Sequence, residues 1–385
     1  MRTGRQGAPT PAPVATVDRS GYRLSAVTGA DTVGGAEHFL GYLLDALPAG
    51  VGCTVIGPDE VVLDAVTRSG RSGLVRSAMD VRSMVRALRL AAPDIVLVNL
   101  PTFSSCRPAV VAALALRLPV VLVDHLPVPT LGWRGRLVQR LMTATCAARV
   151  GVGRRSSRLV EHYVGLAPGT VLTIANGVPV ADSGPPTPYR SGRTTPVLGA
   201  LCRLEWHKGV DVLLHALVHL PGVRLDVAGT GSQRAALEQL AQTLGVDHRV
   251  SFLGWLSDQQ AFFDGIDALV LPSRHEAMPL AVLEAMHAGL PVIASRVGSL
   301  DEVVIPETTG LLVQPEDPVE LASACRRLLY DDALRQRLGR AARARAVEHF
   351  SDSVMASSYD LLHRTVLRRR GRLPGWAAPR SGRRR

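Results

Sequence analysis

Residues 268–295 read ALVLPSRHEAMPLAVLEAMHAGLPVIAS, and the order of elements in this stretch decides the fold. Ala268–Leu271 is a short, wholly apolar run, the pattern of a strand buried on both faces. Pro272 and Ser273 break it. Pro279 opens an apolar helical stretch to His287, because its fixed φ and missing N–H are tolerated in the first turn. Gly289 stops the helix, and Pro291–Ala294 is a second apolar run. Strand, helix and strand in that order form a crossover, and crossovers join parallel strands. Two carboxylates interrupt this buried pattern. Glu276 stands in the polar break, and Glu284 stands inside the helix between Val282–Leu283 and Ala285–Met286.

The same alternation extends in both directions. Toward the N-terminus, strands are expected at Tyr22–Val27, Gly52–Ile56, Asp94–Val98 and Pro119–Val123, with weaker ones at Arg149–Val152 and Val171–Ile174. Helices are expected at Ala36–Leu47, Val81–Leu90, Ala109–Leu116 and Gly135–Cys146. The segments Val66–Ser77 and Leu126–Gly135 read as loops. Residues 181–196, ADSGPPTPYRSGRTTP, have the Pro, Gly, Ser and Thr content of a linker and no apolar period. The pattern then restarts. Strands are expected at Val197–Leu201, Arg224–Ala228, Val250–Leu253 and Gly310–Val313, besides the two already named. Helices are expected at Gly209–Leu220, Gln233–Leu244, Gln259–Gly265, Val319–Leu329, Asp332–Val347 and Val354–Leu367. This predicts an α/β fold of two Rossmann-like βαβ domains facing across a cleft. Residues 1–20 are expected to be a disordered tail, 21–181 the first domain and 182–196 the linker. Residues 197–350 are the second domain, 351–368 a helix returning toward the first, and 369–385 a basic tail. Ligands of such open sheets bind at the carboxyl ends of strands, so functional residues belong just after them.

The chain has 385 residues, which suits two domains, and its apolar content of 46% supports a sizeable core in each. Net charge is +11, but nine arginines lie from Arg364 onward with no Asp or Glu among them. The body is therefore near neutral, and a nucleic-acid surface is not indicated. The basic tail is expected to be a solvated, disordered end, with contact to anionic lipid or nucleic acid as the alternative. Five widely spaced cysteines without a C-x-x-C suggest neither a disulfide framework nor a zinc site, which fits a reducing cytoplasm. The most apolar stretch, residues 108–125, is cut by Arg117 and Pro119 and is too short to span a bilayer.

Several strand ends carry chemistry. Gly34 and Gly35 open the helix after the first strand, where backbone can approach an anion closely; a plain βα turn explains them equally well. His125 follows the strand Pro119–Val123, placed to donate to a hydroxyl or phosphate oxygen. Arg203 and Lys208 flank the turn between Val197–Leu201 and the helix at Gly209. They form a candidate clamp for a diphosphate, the arginine as a rigid fork and the lysine as a mobile point charge. Gly229 and Gly231 mark a turn with close backbone approach. Glu276 and Glu284, on either side of a helix start, can grip hydroxyls while the free amides accept a phosphate. That set matches a sugar joined through a diphosphate to a ribose. No G-x-G-x-x-G appears, which disfavours a nicotinamide dehydrogenase, and no Asp-x-Asp metal motif appears either.

Taken together, PSRHEAMPLAVLEAMHAGLPVIAS, CRLEWHKG, VAGTGSQRAALEQL, RVSFLGW and ANGVP resemble the retaining glycosyltransferases of GT-B fold, family four. The resemblance is close over Val197–Leu329 and looser before it. It implies that Arg203 and Lys208 hold the donor diphosphate, that Glu284 binds the ribose and that Glu276 contacts the transferred sugar. His125 would face sugar and acceptor, and Gly34 and Gly35 would let a loop close over the phosphates. Gly229, Leu256, Met278, Pro279 and Leu280 would line the donor, with Leu256 against the base. This chain has Glu276-Ala277-Met278-Pro279 where the family often has glycine after the glutamate and again two residues later, and Pro279 has no amide to offer an oxygen. The expected reaction is metal-independent transfer of a hexose-type sugar from a nucleotide diphosphate donor, UDP favoured over GDP, to a hydroxyl acceptor. No cofactor is expected, the nucleotide sugar being a co-substrate. The alternatives are an epimerase or phosphorylase of the same fold, or an inactive nucleotide-sugar-binding protein.

Overall fold

The computed structural model describes residues 21–67, 69–103, 105–127, 132–180, 195–256 and 258–371. The expected N-terminal tail, all but the end of the linker, and the basic tail from residue 372 lie outside the described residues. The chain divides into two compact units. One comprises the residues to Val123, Leu141–Ala148 and Tyr359 onward; the other comprises Asp124–Arg140 and Arg149–Ser358.

The first parallel sheet has seven strands: β1 (Arg23–Val27), β2 (Gly52–Gly57), β3 (Ser72–Arg76), β4 (Ile95–Leu100), β5 (Val120–Asp124), β6 (Ala148–Gly151) and β7 (Leu172–Thr173). Their spatial order is β3-β2-β1-β4-β5-β6-β7. The helices are α1 (Gly35–Ala46), α2 (Glu60–Val66), α3 (Val81–Ala91), α4 (Arg107–Ala115), α5 (Trp133–Thr145) and α6 (Arg154–Val164). The core of the first unit packs Val27, Ile56, Val96, Val98 and Leu122 against Met84, Leu88, Ala109 and Val110 of α3 and α4.

The second parallel sheet has six strands: β8 (Val197–Leu201), β9 (Arg224–Ala228), β10 (Val250–Gly254), β11 (Ala268–Leu271), β12 (Val292–Ser295) and β13 (Gly310–Val313). Its order, β10-β9-β8-β11-β12-β13, repeats the doubly wound pattern. Its helices are α7 (Val210–Val218), α8 (Arg234–Thr243), α9 (Gln259–Gly265), α10 (Leu280–His287), α11 (Leu300–Val303), α12 (Pro318–Leu329) and α13 (Asp332–His349), and the last helix, α14 (Asp352–Arg369), belongs from Tyr359 onward to the first unit. Leu198, Val227, Val270, Ile293 and Leu311 from the strands meet Leu213, Leu217, Leu321 and Leu328 from α7 and α12.

Three sequence expectations are corrected. Val66–Ser77 is not a plain loop, because it contains β3, paired in parallel with Cys53–Gly57 of β2. This edge strand buries only Ser72 fully and carries Gly73, so no alternation announces it. The polar α6, RRSSRLVEHYV, was not expected as a helix; it buries Ser156, Ser157 and Glu161 beside Val160 and Val164. Finally, α10 begins at Leu280, with Pro279 as its extended N-cap rather than its first residue. Short helices α2 and α11 were likewise unannounced.

Candidate functional site

Where a doubly wound sheet reverses its strand order, the loops after the two central strands diverge and leave a crevice. In the second sheet that point lies between β8 and β11. The loop after β8 carries Arg203 and Lys208, and the loop after β11 carries Glu276. The fold brings the last two together: Lys208 Nζ lies 2.7 Å from Glu276 Oε1, with the side chains 15% and 5% exposed. Ser273 donates its hydroxyl to the same oxygen at 2.8 Å. A nearly buried carboxylate is thus held by an ammonium and a hydroxyl, which satisfies the cost of desolvating it.

The backbone that presents Lys208 is constrained on both sides. Trp206–Lys208 form one 3-10 turn, which ends on Gly209 in the left-handed region at φ 69° before α7 starts. A Cβ on Gly209 would meet the Pro272 carbonyl oxygen at 2.1 Å, so glycine is what allows the two loops to touch. Arg274 fastens the same contact. Its amide donates to the His207 carbonyl at 2.8 Å, and its guanidinium bonds both Asp211 oxygens at 2.8 and 2.7 Å and Glu316 at 2.9 Å. It also lies 4.7 Å over the exposed Trp206 ring. Those hydrogen bonds raise its already high pKa. Arg274 is therefore a structural cation, committed to two carboxylates. Arg203, by contrast, is exposed and forms no ion pair with a described residue. His207 Nε2 is buried without a partner among the described residues, and burial lowers the imidazole pKa, so the ring is neutral at pH 7.

The loop after Glu276 is clamped from below. Ala277 and Met278 are both 4% exposed. Asn176 donates its side-chain amide to the Met278 carbonyl at 2.8 Å, and its backbone N–H points at the Met278 sulfur at 3.3 Å. Gly298, at φ 56°, approaches so closely that a Cβ would meet the Glu276 carbonyl oxygen at 1.9 Å. Ser299 N–H donates to the Ala277 carbonyl at 2.9 Å. Ser273, Asn176 and the Gly298–Ser299 turn are the residues that sequence reasoning did not assign. Asn176 is the asparagine of the ANGVP motif, and it holds the Met278 carbonyl.

The remaining expected residues take these places. Pro279 and Leu280 start α10, and Glu284 is half-buried one turn further on. Gly229 sits at φ 126°, where a Cβ would strike the Cys202 carbonyl oxygen; Gly231 similarly faces the Leu204 carbonyl. Both glycines are thereby accounted for by packing of the β9 loop on the β8 loop. Leu256 is half-buried after β10, beside the exposed Trp255. His125, half-buried, follows Asp124, whose carboxylate is bonded by Arg149 Nε and a terminal nitrogen at 2.7 and 2.8 Å in a buried pair. Burial of the His125 ring pushes its imidazole down to about 3, so the ring is neutral at pH 7. Gly34 and Gly35 belong to the other unit. There Glu37 accepts from the Gly34 N–H at 3.1 Å and from Thr28 Oγ1 at 3.1 Å, which fixes the loop at the start of α1. A Cβ on Gly35 would meet nothing within 4 Å.

Two doubly wound parallel sheets, of seven and six strands, define the class of GT-B α/β proteins. Within it, residues 33–182 match the family described as Glycosyltransferase Family 4 and residues 188–345 match Glycosyl transferases group 1. The chain belongs to the family-four glycosyltransferases. It is 39% identical over 201 residues to glycogen synthase of Mycobacterium tuberculosis, covering 50% of this chain and 48% of that protein. It is 32% identical over 234 residues to D-inositol 3-phosphate glycosyltransferase of Corynebacterium diphtheriae, covering 55% and 54%. The chain thus spans about half the length of the curated relatives it matches. Among solved structures, HepE of Anabaena in complex with UDP-glucose superposes with a TM-score of 0.78 at 20% identity, covering 89% of this chain and 100% of that one. Sucrose-phosphate synthase of Thermosynechococcus elongatus gives 0.74 at 23% identity, covering 90% and 100%. Among the described residues no helix is long and apolar enough to cross a membrane.

Proposed function

We propose that the protein transfers a hexose-type sugar from a nucleotide diphosphate donor to a hydroxyl acceptor, with the anomeric configuration retained. The observation that carries this reading is the Lys208–Glu276–Ser273 cluster at the switch point. A diphosphate is a stronger competitor for an ammonium than one carboxylate, since it brings more charge and more acceptor oxygens. On donor binding Lys208 turns from Glu276 to the phosphates, and Arg203 and the free amides at the start of α10 join it. Glu276, released but still held by Ser273, then accepts hydrogen bonds from the hydroxyls of the sugar. Glu284 takes the ribose, and neutral His125 faces the sugar and acceptor. Negative charge that develops on the departing diphosphate is stabilised by groups already in place, which is where such a site gains most of its rate. The complexes of the structurally similar HepE with UDP and UDP-glucose favour a UDP-sugar as donor.

The test uses Lys208→Ala and Arg203→Ala, with UDP binding followed by calorimetry and turnover by release of UDP from UDP-sugars. Each variant is expected to lose about 100–1,000-fold in turnover, the usual cost of removing one such donor. Lys208→Ala leaves a nearly buried carboxylate unpaired, so Arg203→Ala, at an exposed position, controls for loss of the fold. Wild-type UDP affinity and turnover in Arg203→Ala, with a folded Lys208→Ala equally active, would reject the clamp. The anomeric proton coupling of the product, read by NMR, tests retention.

A further inference from the structure

Helix α5 has a face that nothing among the described residues covers. Its inward side is made by Gly135, Gln139 and Met142, of which Gln139 is fully buried and Met142 is 8% exposed. On the opposite side Trp133 is 72%, Leu137 51% and Leu141 58% exposed. At 3.6 residues per turn, Trp133, Leu137 and Leu141 form one stripe along the outer face. Arg136 and Arg140 flank the stripe on one side. Arg134 lies on the other, with its guanidinium carbon 5.2 Å over the Trp133 ring. No Asp or Glu occurs between Asp124 and Glu161.

We propose that α5 is a docking helix for an anionic lipid surface, with Trp133, Leu137 and Leu141 entering the headgroup boundary and Arg134, Arg136 and Arg140 on the lipid phosphates. Three features select this occupant. An exposed apolar stripe of this size calls for a partner. The arginines beside it complement anionic headgroups and would repel one another across a contact between two copies, where each patch faces itself. An indole next to an arginine suits the boundary, where one end of the ring is dry and the other wet. Thirteen residues are too few to span a bilayer, so the helix lies in the plane of the surface. The inference does not depend on the donor site. An enzyme whose acceptor is held at a membrane would gain from it, and so would a protein that binds lipid for any other reason.

The experiment is co-sedimentation of the full chain with vesicles of equal parts phosphatidylglycerol and phosphatidylcholine, and with phosphatidylcholine alone. Binding to the anionic vesicles is expected, at least tenfold weaker to the neutral ones and weaker as salt rises. The double variant Leu137→Ser, Leu141→Ser should lose at least tenfold in partition, and Arg136→Gln, Arg140→Gln should lose the preference for anionic lipid. A blue shift of tryptophan emission on binding should disappear in Trp133→Phe. Far-UV circular dichroism and the thermal unfolding midpoint serve as fold controls, and they stay unchanged. Binding that is equally strong in the Leu137→Ser, Leu141→Ser variant assigns it to another part of the chain, such as the arginines beyond residue 371, and overturns the proposal. So does the absence of binding to anionic vesicles. A concentration-dependent dimer that the same variant disperses shows a second copy on the stripe, and overturns it equally.

Discussion

At the scale of single residues, the site depends on where a Cβ is forbidden. Gly209 is both left-handed and packed against the Pro272 carbonyl. An alanine there costs about 1–2 kcal/mol in backbone strain alone, before the Pro272 loop is displaced. Gly35 stands in open space at an ordinary backbone angle. Gly209→Ala should therefore lower the urea midpoint by the equivalent of at least that strain, whereas Gly35→Ala should stay within about 0.5 kcal/mol of wild type. Equal midpoints for the two variants would refute the close-approach argument. The residue scale is also where the sequence was most legible. Lys208, Glu276 and Glu284 were named from charge in apolar surroundings and from position after a strand. That Lys208 and Glu276 bond each other was not visible, nor that Arg274, two residues before Glu276, is spent on Asp211 and Glu316.

At the scale of elements, α14 shows how a polar helix is bound to a core. His363 is fully buried, and its Nδ1 lies 2.9 Å from the Tyr22 hydroxyl of β1. Tyr359, one turn before it, packs edge-on against Phe39 of α1. Burial pushes the His363 imidazole down to about 4, below the unfolded value near 6.5. The fold holds the neutral ring, so its full contribution is present above pH 6.5. As pH falls from 6.5 to 4 the unfolded chain takes up the proton and the folded one does not, and stability is lost. Each pKa unit is worth about 1.4 kcal/mol, so the loss over that window is on the order of a few kcal/mol. Replacing His363 with Gln should remove that part of the pH dependence: the difference in unfolding free energy between wild type and variant should shrink as pH falls from 7 to 4. A constant difference would mean that His363 is not the titrating group. Elements with strong apolar periods, such as β8, β9, β11 and α9, were read to the residue. β3 and α6 were not, because an edge strand with one buried residue and a helix that buries serines carry no hydrophobic period.

At the scale of the whole molecule, each unit has its own buried core, and a ligand held by one unit is expected to stabilise that unit first. The proposed donor residues Arg203, Lys208, Glu276 and Glu284 all lie in the second unit. UDP at 100 times its dissociation constant adds about 2.7 kcal/mol to whatever unfolds with its site. Hydrogen exchange with and without UDP should therefore show slowed exchange around residues 203–209, 229–231 and 273–284, with the first-unit sheet β1–β4 little changed. Protection confined to the first unit would place the nucleotide elsewhere and refute the assignment.

What the sequence determined by itself was the order of the strongly apolar elements. Apolar runs of strand length alternating with helical ones impose parallel sheets, and each run reports on burial within a few residues. What only the tertiary structure decided was which loops meet. Lys208 and Glu276 are 68 residues apart, and Asn176 and Met278 are 102 apart. The first pair meets because β11 lies beside β8 while β9 and β10 lie on the other side. Strand order is a collective outcome of packing helices on both faces of a twisted sheet, and no local period encodes it.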